Sequence, residues 1–313
     1  MLRSHPKNEL PWANAAWIDL LDATAEERAQ VESVTGLHVP TFTEVTEIES
    51  SSRVFIREKA TYLSMPLPAN GDGRAPLSAV GFVLGERVLL TVRFSSHPVF
   101  DAVFEGCETR DRLGAREIFL WIVEELVDRA ADSLEHAGAK LDALSDAAFH
   151  ADQETRRSPK RASRSLRQAL RELGATGGWL SQIRDTLLGM KRIVSFVAET
   201  DDKLKTAEYT ARLNAIRSDI NSLNDHESHL SGKVQFLLDA TLGFINIEQN
   251  DIVKTLTVAS VVGIPPVLIA GIYGMNFRFM PEYAWPFGYP FALLLIVGSG
   301  LLPLLWFKRR GWM

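Results

Sequence analysis

Two stretches without a single charge dominate the last quarter of this 313-residue chain: residues 255–277 and 283–307 contain no Asp, Glu, Lys or Arg. Each exceeds the roughly 20 apolar residues that an α-helix needs to cross a bilayer core of about 30 Å. Arg278 and Glu282 are the only charges between them, so the link reads as a tight turn at a membrane surface. Two spans place both ends of the chain on one side. Lys254 precedes the first span and Lys308, Arg309 and Arg310 follow the second, whereas the link carries only Arg278. The positive-inside rule then puts both termini in the cytoplasm and the turn outside. The competing reading is a hydrophobic hairpin that merely anchors a soluble domain.

Without the two runs, about 250 residues remain, enough for a sizeable soluble domain. The formal net charge of −5 argues against a nucleic-acid binder, and no aromatic-basic stripe supports one. Cys107 is the sole cysteine, which excludes an intrachain disulfide and fits a reducing compartment. Residues 1–17 hold no apolar core of a secretory signal, so the C-terminal pair is expected to direct membrane insertion.

Residues 1–112 read as mixed α/β. Trp17-Ile18-Asp19-Leu20 has the composition of a buried strand, and Thr24 is placed to cap a helix with Glu26 and Glu27 in its first turn. The apolar runs between Val80 and Phe94, joined at Gly85-Glu86, predict a hairpin, and the stretch from Met65 to Pro76 predicts a loop. From Ala115 the period becomes helical, with Ile118, Trp121, Ile122, Leu126 and Val127 recurring at spacings of three and four. A break is expected near Arg156-Arg157-Ser158-Pro159, then a second helix to about Ala198. A third is expected from about Lys203, with no breaker before Pro265. Continued to Tyr273, it would be about 100 Å long. A soluble domain has no use for such a helix; a stalk entering a membrane does. The basic segment Lys160–Arg171 reads as a solvated helix face.

Along the third helix, Asp239, Leu242, Asn246, Asn250, Val253, Leu256, Ser260, Ile264, Val267 and Gly271 fall on one stripe. Polar groups in an apolar contact stripe cost stability unless they are satisfied. One such helix cannot close a pore. In a symmetric ring of copies, Asp239, Asn246 and Asn250 would become rings of oxygen ligands facing water. Rings of amide oxygens can hold a hydrated cation through its water shell. Asn250 is equally readable as a buried residue that sets helix register. Ser260 can face water or bond a carbonyl one turn back. Pro265-Pro266 frees backbone carbonyls, and Gly298-Ser299-Gly300 allows close helix packing.

Tyr273-Gly274-Met275-Asn276 ends the first span, Met280-Pro281-Glu282 follows, and the second span ends in Lys308-Arg309-Arg310. With residues 243–250, Pro265-Pro266, Phe287-Gly288-Tyr289-Pro290 and Ala16-Trp17-Ile18-Asp19-Leu20, this order resembles the bacterial CorA family of magnesium channels, within the two-span Gly-x-Asn superfamily. The resemblance implies an α+β membrane protein that assembles as a homopentamer in the bacterial inner membrane. Its parts would be a cytoplasmic α/β domain (1–112), cytoplasmic helices including the lower stalk (113–252) and a pore-lining span (253–274). A periplasmic loop (275–287), a second span (288–308) and a cytoplasmic basic tail (309–313) would follow. It implies Mg²⁺ influx, with Co²⁺ and Ni²⁺ also carried. Gly274, Met275 and Asn276 would be the selectivity filter, Asn250 a second polar ring and Asp239 the cytoplasmic mouth. Val253 and Leu256 would form the hydrophobic constriction. Cytoplasmic Mg²⁺ at acidic subunit contacts would close the channel, with Asp219 the candidate sensor.

Other features are less telling. Asn276 can also cap the helix end. The family commonly has an acidic residue after Asn-Phe, where this chain has Arg278, leaving Glu282 as the loop's carboxylate; a ring of arginines lowers local cation concentration unless it is paired. His226 and His229 read as a solvated face. No catalytic Ser/His/Asp or Cys/His set, phosphate loop or organic-cofactor motif stands out, so an enzyme is not expected. The alternatives are a zinc transporter of the same superfamily, proton-coupled or not, and a membrane-anchored cytoplasmic enzyme or sensor.

Overall fold

The computed structural model describes residues 1–6, 12, 14–47, 49, 53–68, 77–110, 113–155, 159–275, 280–281 and 285–312, with backbone alone for 150–155 and 159–163. The chain forms two compact units, Met1–His150 with Arg167–Asp239, and Ala151–Leu166 with Ala240–Met313.

The first unit is built on one six-stranded sheet, with strands β1 (Leu2–His5), β2 (Trp17–Leu21), β3 (Val54–Arg57), β4 (Ala60–Pro68), β5 (Leu77–Leu84) and β6 (Leu89–Arg93) in the order β1-β2-β6-β5-β4-β3. Only β2 and β6 run parallel. The β5–β6 hairpin forms as expected. The expected loop from Met65 does not: β4 continues through Pro68, which pairs with Leu77, and Met65 and Leu67 are buried. Residues 69–76 lie outside the described residues. The two prolines misled because a central strand rarely carries them. Among the described residues β3 pairs with Ala60 to Leu63 alone, so Pro66 and Pro68 lie beyond the described ladder, and their missing N–H groups interrupt none of its pairs.

Helices α1 (Ala25–Thr35) and α2 (Phe42–Thr46) begin in full capping boxes at Thr24 and Thr41, each reciprocated by Glu27 and Glu44. One sheet face buries Ile18, Leu20, Tyr62, Val83, Leu90 and Val92, with Val31 of α1 among them. The other packs Trp17, Leu63, Met65 and Phe82 against α3 (Pro98–Glu108), α4 (Ala115–Thr155) and α5 (Pro159–Thr200). Both faces are covered, so β2 is apolar almost throughout.

Asp19 is the exception, 1% exposed on the helix-covered face. Register explains its partners, since Arg3 of β1 and Thr91 of β6 stand directly opposite it. Arg93 donates through Nε and Nη2 at 2.9 and 2.7 Å, Arg3 Nε at 2.8 Å and Thr91 Oγ1 at 2.6 Å; Trp17 Nε1 in turn donates to Thr91. Arg3 also reaches Asp101 of α3, and the two guanidinium groups lie over Phe104 and Phe100. Burial alone would raise the Asp19 carboxyl, but the hydrogen bonds and charge of Arg93, with Thr91 and Arg3, carry it below the usual range.

Asp19→Asn leaves the buried Arg93 guanidinium without its counter-charge and Arg3 with Asp101 alone, so a loss of about 3–5 kcal/mol is expected in denaturant unfolding of the full-length protein. The folded carboxyl is depressed. Its contribution is therefore complete above the unfolded value near pH ~3.9 and disappears as pH falls through the lower folded value; acid should erase the difference between wild type and variant.

Candidate functional site

The third helix starts later than the sequence implied. Asp201 caps a short 3₁₀ turn, Asp202–Leu204, and the hydroxyl of Thr206 accepts from Tyr209 N–H to open α6 (Ala207–Tyr273). From there α6 runs unbroken for 67 residues, through Pro265 and Pro266. α7 (Gly288–Arg309) is the second apolar helix. Both are long and apolar enough to cross a membrane, and the most apolar window of α6 is 0% buried.

In the second unit the two helices meet closely at Gly300. A Cβ there would lie 3.4 Å from Pro266 Cγ and 3.6 Å from the Val262 carbonyl, while one on Gly298 would meet nothing within 4 Å. Val262 O is a carbonyl that Pro266, lacking N–H, cannot serve. Val258, Val262, Pro265, Pro266, Ile269 and Tyr273 are correspondingly half-buried.

The predicted stripe falls on the other side. At about 100° per residue, Val253, Leu256, Ile264 and Val267 lie opposite the half-buried row, and all are exposed, Leu256 at 67% and Val267 at 72%. Asp239, Asn246, Asn250 and Gly271 are exposed too, and Ser260 is half-buried. Gln235 Nε2 donates to Asp239 at 3.2 Å. At the helix end, Gly274 N–H bonds the Ala270 carbonyl at 2.9 Å, and a Cβ on Gly274 would meet that oxygen at 3.2 Å, so glycine keeps the turn tight. Met275 is 48% exposed. Asn276, Arg278 and Glu282 lie outside the described residues.

In the first unit α4 and α6 run parallel. Arg212 grips Glu124 through two hydrogen bonds of 2.9 and 2.7 Å, and Lys233 pairs with Asp142 further along. This alignment brings Asp219 beside an acidic row of α4 that no local spacing pairs with it. Glu117, Glu124, Glu125, Asp128 and Asp219 line a cleft of about 400 Å³ with Arg110 and Arg212. Burial, then Glu125, Asp132, Asp219 and Glu124, push the Asp128 carboxyl up. Among the described residues, no group of three or more acidic, His or Cys side chains is arranged to hold a metal. His226 and His229 are exposed, as expected; Glu227 between them is instead buried, accepting from Ser231 Oγ at 2.6 Å.

A family model described as CorA-like Mg²⁺ transporter protein matches residues 12–309. The chain belongs to the CorA-like Mg²⁺ transporter family. It is 33% identical to the magnesium transport protein CorA of Escherichia coli (strain K12) over 318 aligned positions, covering 100% of this chain and 96% of the relative. It is also 33% identical to the protein of that name from Yersinia pseudotuberculosis, over 96% of this chain and 93% of the relative. Among solved structures, the complete CorA magnesium transporter from Methanocaldococcus jannaschii shares the fold with a TM-score of 0.76 at 20% identity, over 95% of this chain and 91% of that one. The cytoplasmic domain of ZntB from Vibrio parahaemolyticus is a more distant fold match, with a TM-score of 0.56 at 13% identity, over 74% and 87%. The CorA fold thus accounts for the α/β unit, the long helix and the two C-terminal apolar helices together.

Gly300→Leu should push α7 off Pro266 and lower stability by about 1–3 kcal/mol, the cost of overpacking a tight contact. Gly298→Leu serves as its control and should melt like wild type in detergent, because its site is open.

Proposed function

We propose that this CorA family member assembles as a homopentamer in the bacterial inner membrane and conducts Mg²⁺ into the cytoplasm, with both termini on the cytoplasmic side. The observation that carries this reading is the division of α6 into two faces. One is occupied by α7; the other exposes Asn246, Asn250, Leu256, Ile264 and Val267 and leads to Gly274 and Met275. Copies of that face around one axis shield its apolar members from water and turn Asn246, Asn250 and Asp239, just below the span, into rings of oxygens around a hydrated ion.

Within that ring, Gly274, Met275 and Asn276 act as the selectivity filter. Asn250 and Asn246 form inner polar rings, and Asp239 draws cations to the cytoplasmic mouth. Val253 and Leu256 narrow the path, and Ser260, Ile264 and Val267 line it above. Arg278 and Glu282 are the two charges of the outer loop that the incoming ion meets. An inside-negative potential supplies about 2.3 kcal/mol per charge per 100 mV, twice that for a divalent ion. Co²⁺ and Ni²⁺, similar in charge and hydrated size, follow the same route.

Closure by cytoplasmic Mg²⁺ rests on the acidic cleft around Asp219. Burial first, and then repulsion among its carboxylates, raise Asp128. A divalent ion bridging them to a neighbouring copy relieves that repulsion, and its loss releases it.

The decisive test is uptake into proteoliposomes, comparing Mg²⁺ with Zn²⁺ under a membrane potential or a pH gradient. Potential-driven Mg²⁺ entry is expected, and Asn276→Ala should abolish it while the oligomer survives on size-exclusion chromatography. Zn²⁺ entry that follows the pH gradient would move the chain to the zinc reading. Survival of flux in Asn276→Ala would count against the filter.

The assembly has its own check. Cys107 is buried and its thiol is pushed up to about 11 by burial, so it gives little background to added cysteines. Leu256→Cys and Val267→Cys should cross-link between copies in membranes, whereas Val262→Cys and Ile269→Cys, on the face toward α7, should not. The reverse pattern would put the wrong face of α6 at the axis.

A further inference from the structure

The end of α7 is more ordered than a basic stop signal requires. Gly311 adopts φ +71°, a left-handed conformation suited to glycine. Around it, Gly311 N–H bonds the Lys308 carbonyl at 3.2 Å and Trp312 N–H bonds the Phe307 carbonyl at 3.1 Å. This is the paired closure of a Schellman cap. It folds Trp312 back so that its ring stacks on Phe307, centroids 5.4 Å apart. Phe307 is 4% exposed, packed between Trp312 and Trp306. Arg310 turns the other way and lies 5.0 Å over the Trp306 ring.

The result is a small platform. Trp306 and Trp312 remain about half exposed, and Lys308, Arg309 and Arg310 are exposed around them. Residues 283–313 contain no Asp or Glu, so no side chain of this segment neutralises the three cations. Tryptophan rings prefer the headgroup level of a bilayer, and the preceding helix is apolar along its length. The cations are therefore held at phosphate depth.

We propose that this capped terminus, residues 306–312, is a binding site for the phosphate of anionic phospholipids in the leaflet it faces. Lys308, Arg309 and Arg310 contact the phosphate, and Trp306 and Trp312 hold the acyl-glycerol region. If the cations served only to orient the helix and complement its dipole, neither the cap nor the stacked rings would matter for lipid choice.

The proposal is tested on the full-length protein in mild detergent, independently of any transport. Equal amounts of phosphatidylglycerol and phosphatidylcholine are offered, and retained lipid is read by native mass spectrometry. Wild type should retain phosphatidylglycerol by about tenfold over phosphatidylcholine, given the strength of basic-residue attraction to anionic headgroups. K308Q/R309Q/R310Q should lose the preference. Gly311→Val keeps every charge but disfavours the left-handed cap, and should cut the preference several-fold. Arg310→Gln alone, a milder change, should reduce it in a protein that elutes like wild type. Excess inorganic phosphate should not displace the lipid. Equal retention of both lipids by wild type, an unchanged preference in the triple variant or in Gly311→Val, or displacement by inorganic phosphate would each overturn the assignment. Because the readout is lipid retention, its failure leaves the ion-channel reading untouched, and the reverse also holds.

Discussion

A peptide group in hydrocarbon has no water to bond, so a chain that enters a bilayer must satisfy its N–H and C=O groups within itself. Much of the C-terminal architecture depends on that constraint. It makes both apolar runs helical and keeps α6 helical even through Pro265 and Pro266. Those prolines withdraw two donors from the ladder, and the chain answers with a glycine on the facing helix that lets α7 come against the gap. What the constraint does not satisfy is the side-chain surface. α7 covers one face of α6 only, and the uncovered face mixes amides with aliphatic groups in a way that neither lipid nor water alone would solvate well.

The first unit solves a different problem, how to bury charge. Asp19 sits in the sheet with two guanidinium groups and a hydroxyl around it, and each guanidinium also rests on a phenyl ring. These shared bonds tie β1, β2, β6 and α3 into one cooperative block. The acidic cleft beside α6 is the opposite case. Its carboxylates are only partly matched by Arg110 and Arg212, so like charge is left facing like charge.

Periodicity and composition were enough to read the membrane hairpin, the length of α6 and the stripe along it. These are local signals, carried by spacing along one helix. The α/β unit was legible where residues announce their own geometry, as with Thr24 and its reciprocal Glu27, or the hairpin around Gly85. It misread β4, because Pro66 and Pro68 look like loop residues until the strand pairing is known. The start of α6 slipped by a few residues because a 3₁₀ turn capped by Asp201 precedes it. The neighbours of Asp219 were hidden for a deeper reason. They belong to α4, and only the parallel register fixed by contacts such as Arg212 with Glu124 brings residues so distant in sequence to one level. The burial of Glu227 between two exposed histidines was equally invisible, since nothing in a string of polar residues says which one turns inward.

A helix that has lost two internal hydrogen bonds is also a hinge. Pro265 and Pro266 leave the carbonyls of Val261 and Val262 without their usual donors, so bending at that turn breaks no bond of the ladder, and compliance in α6 concentrates there.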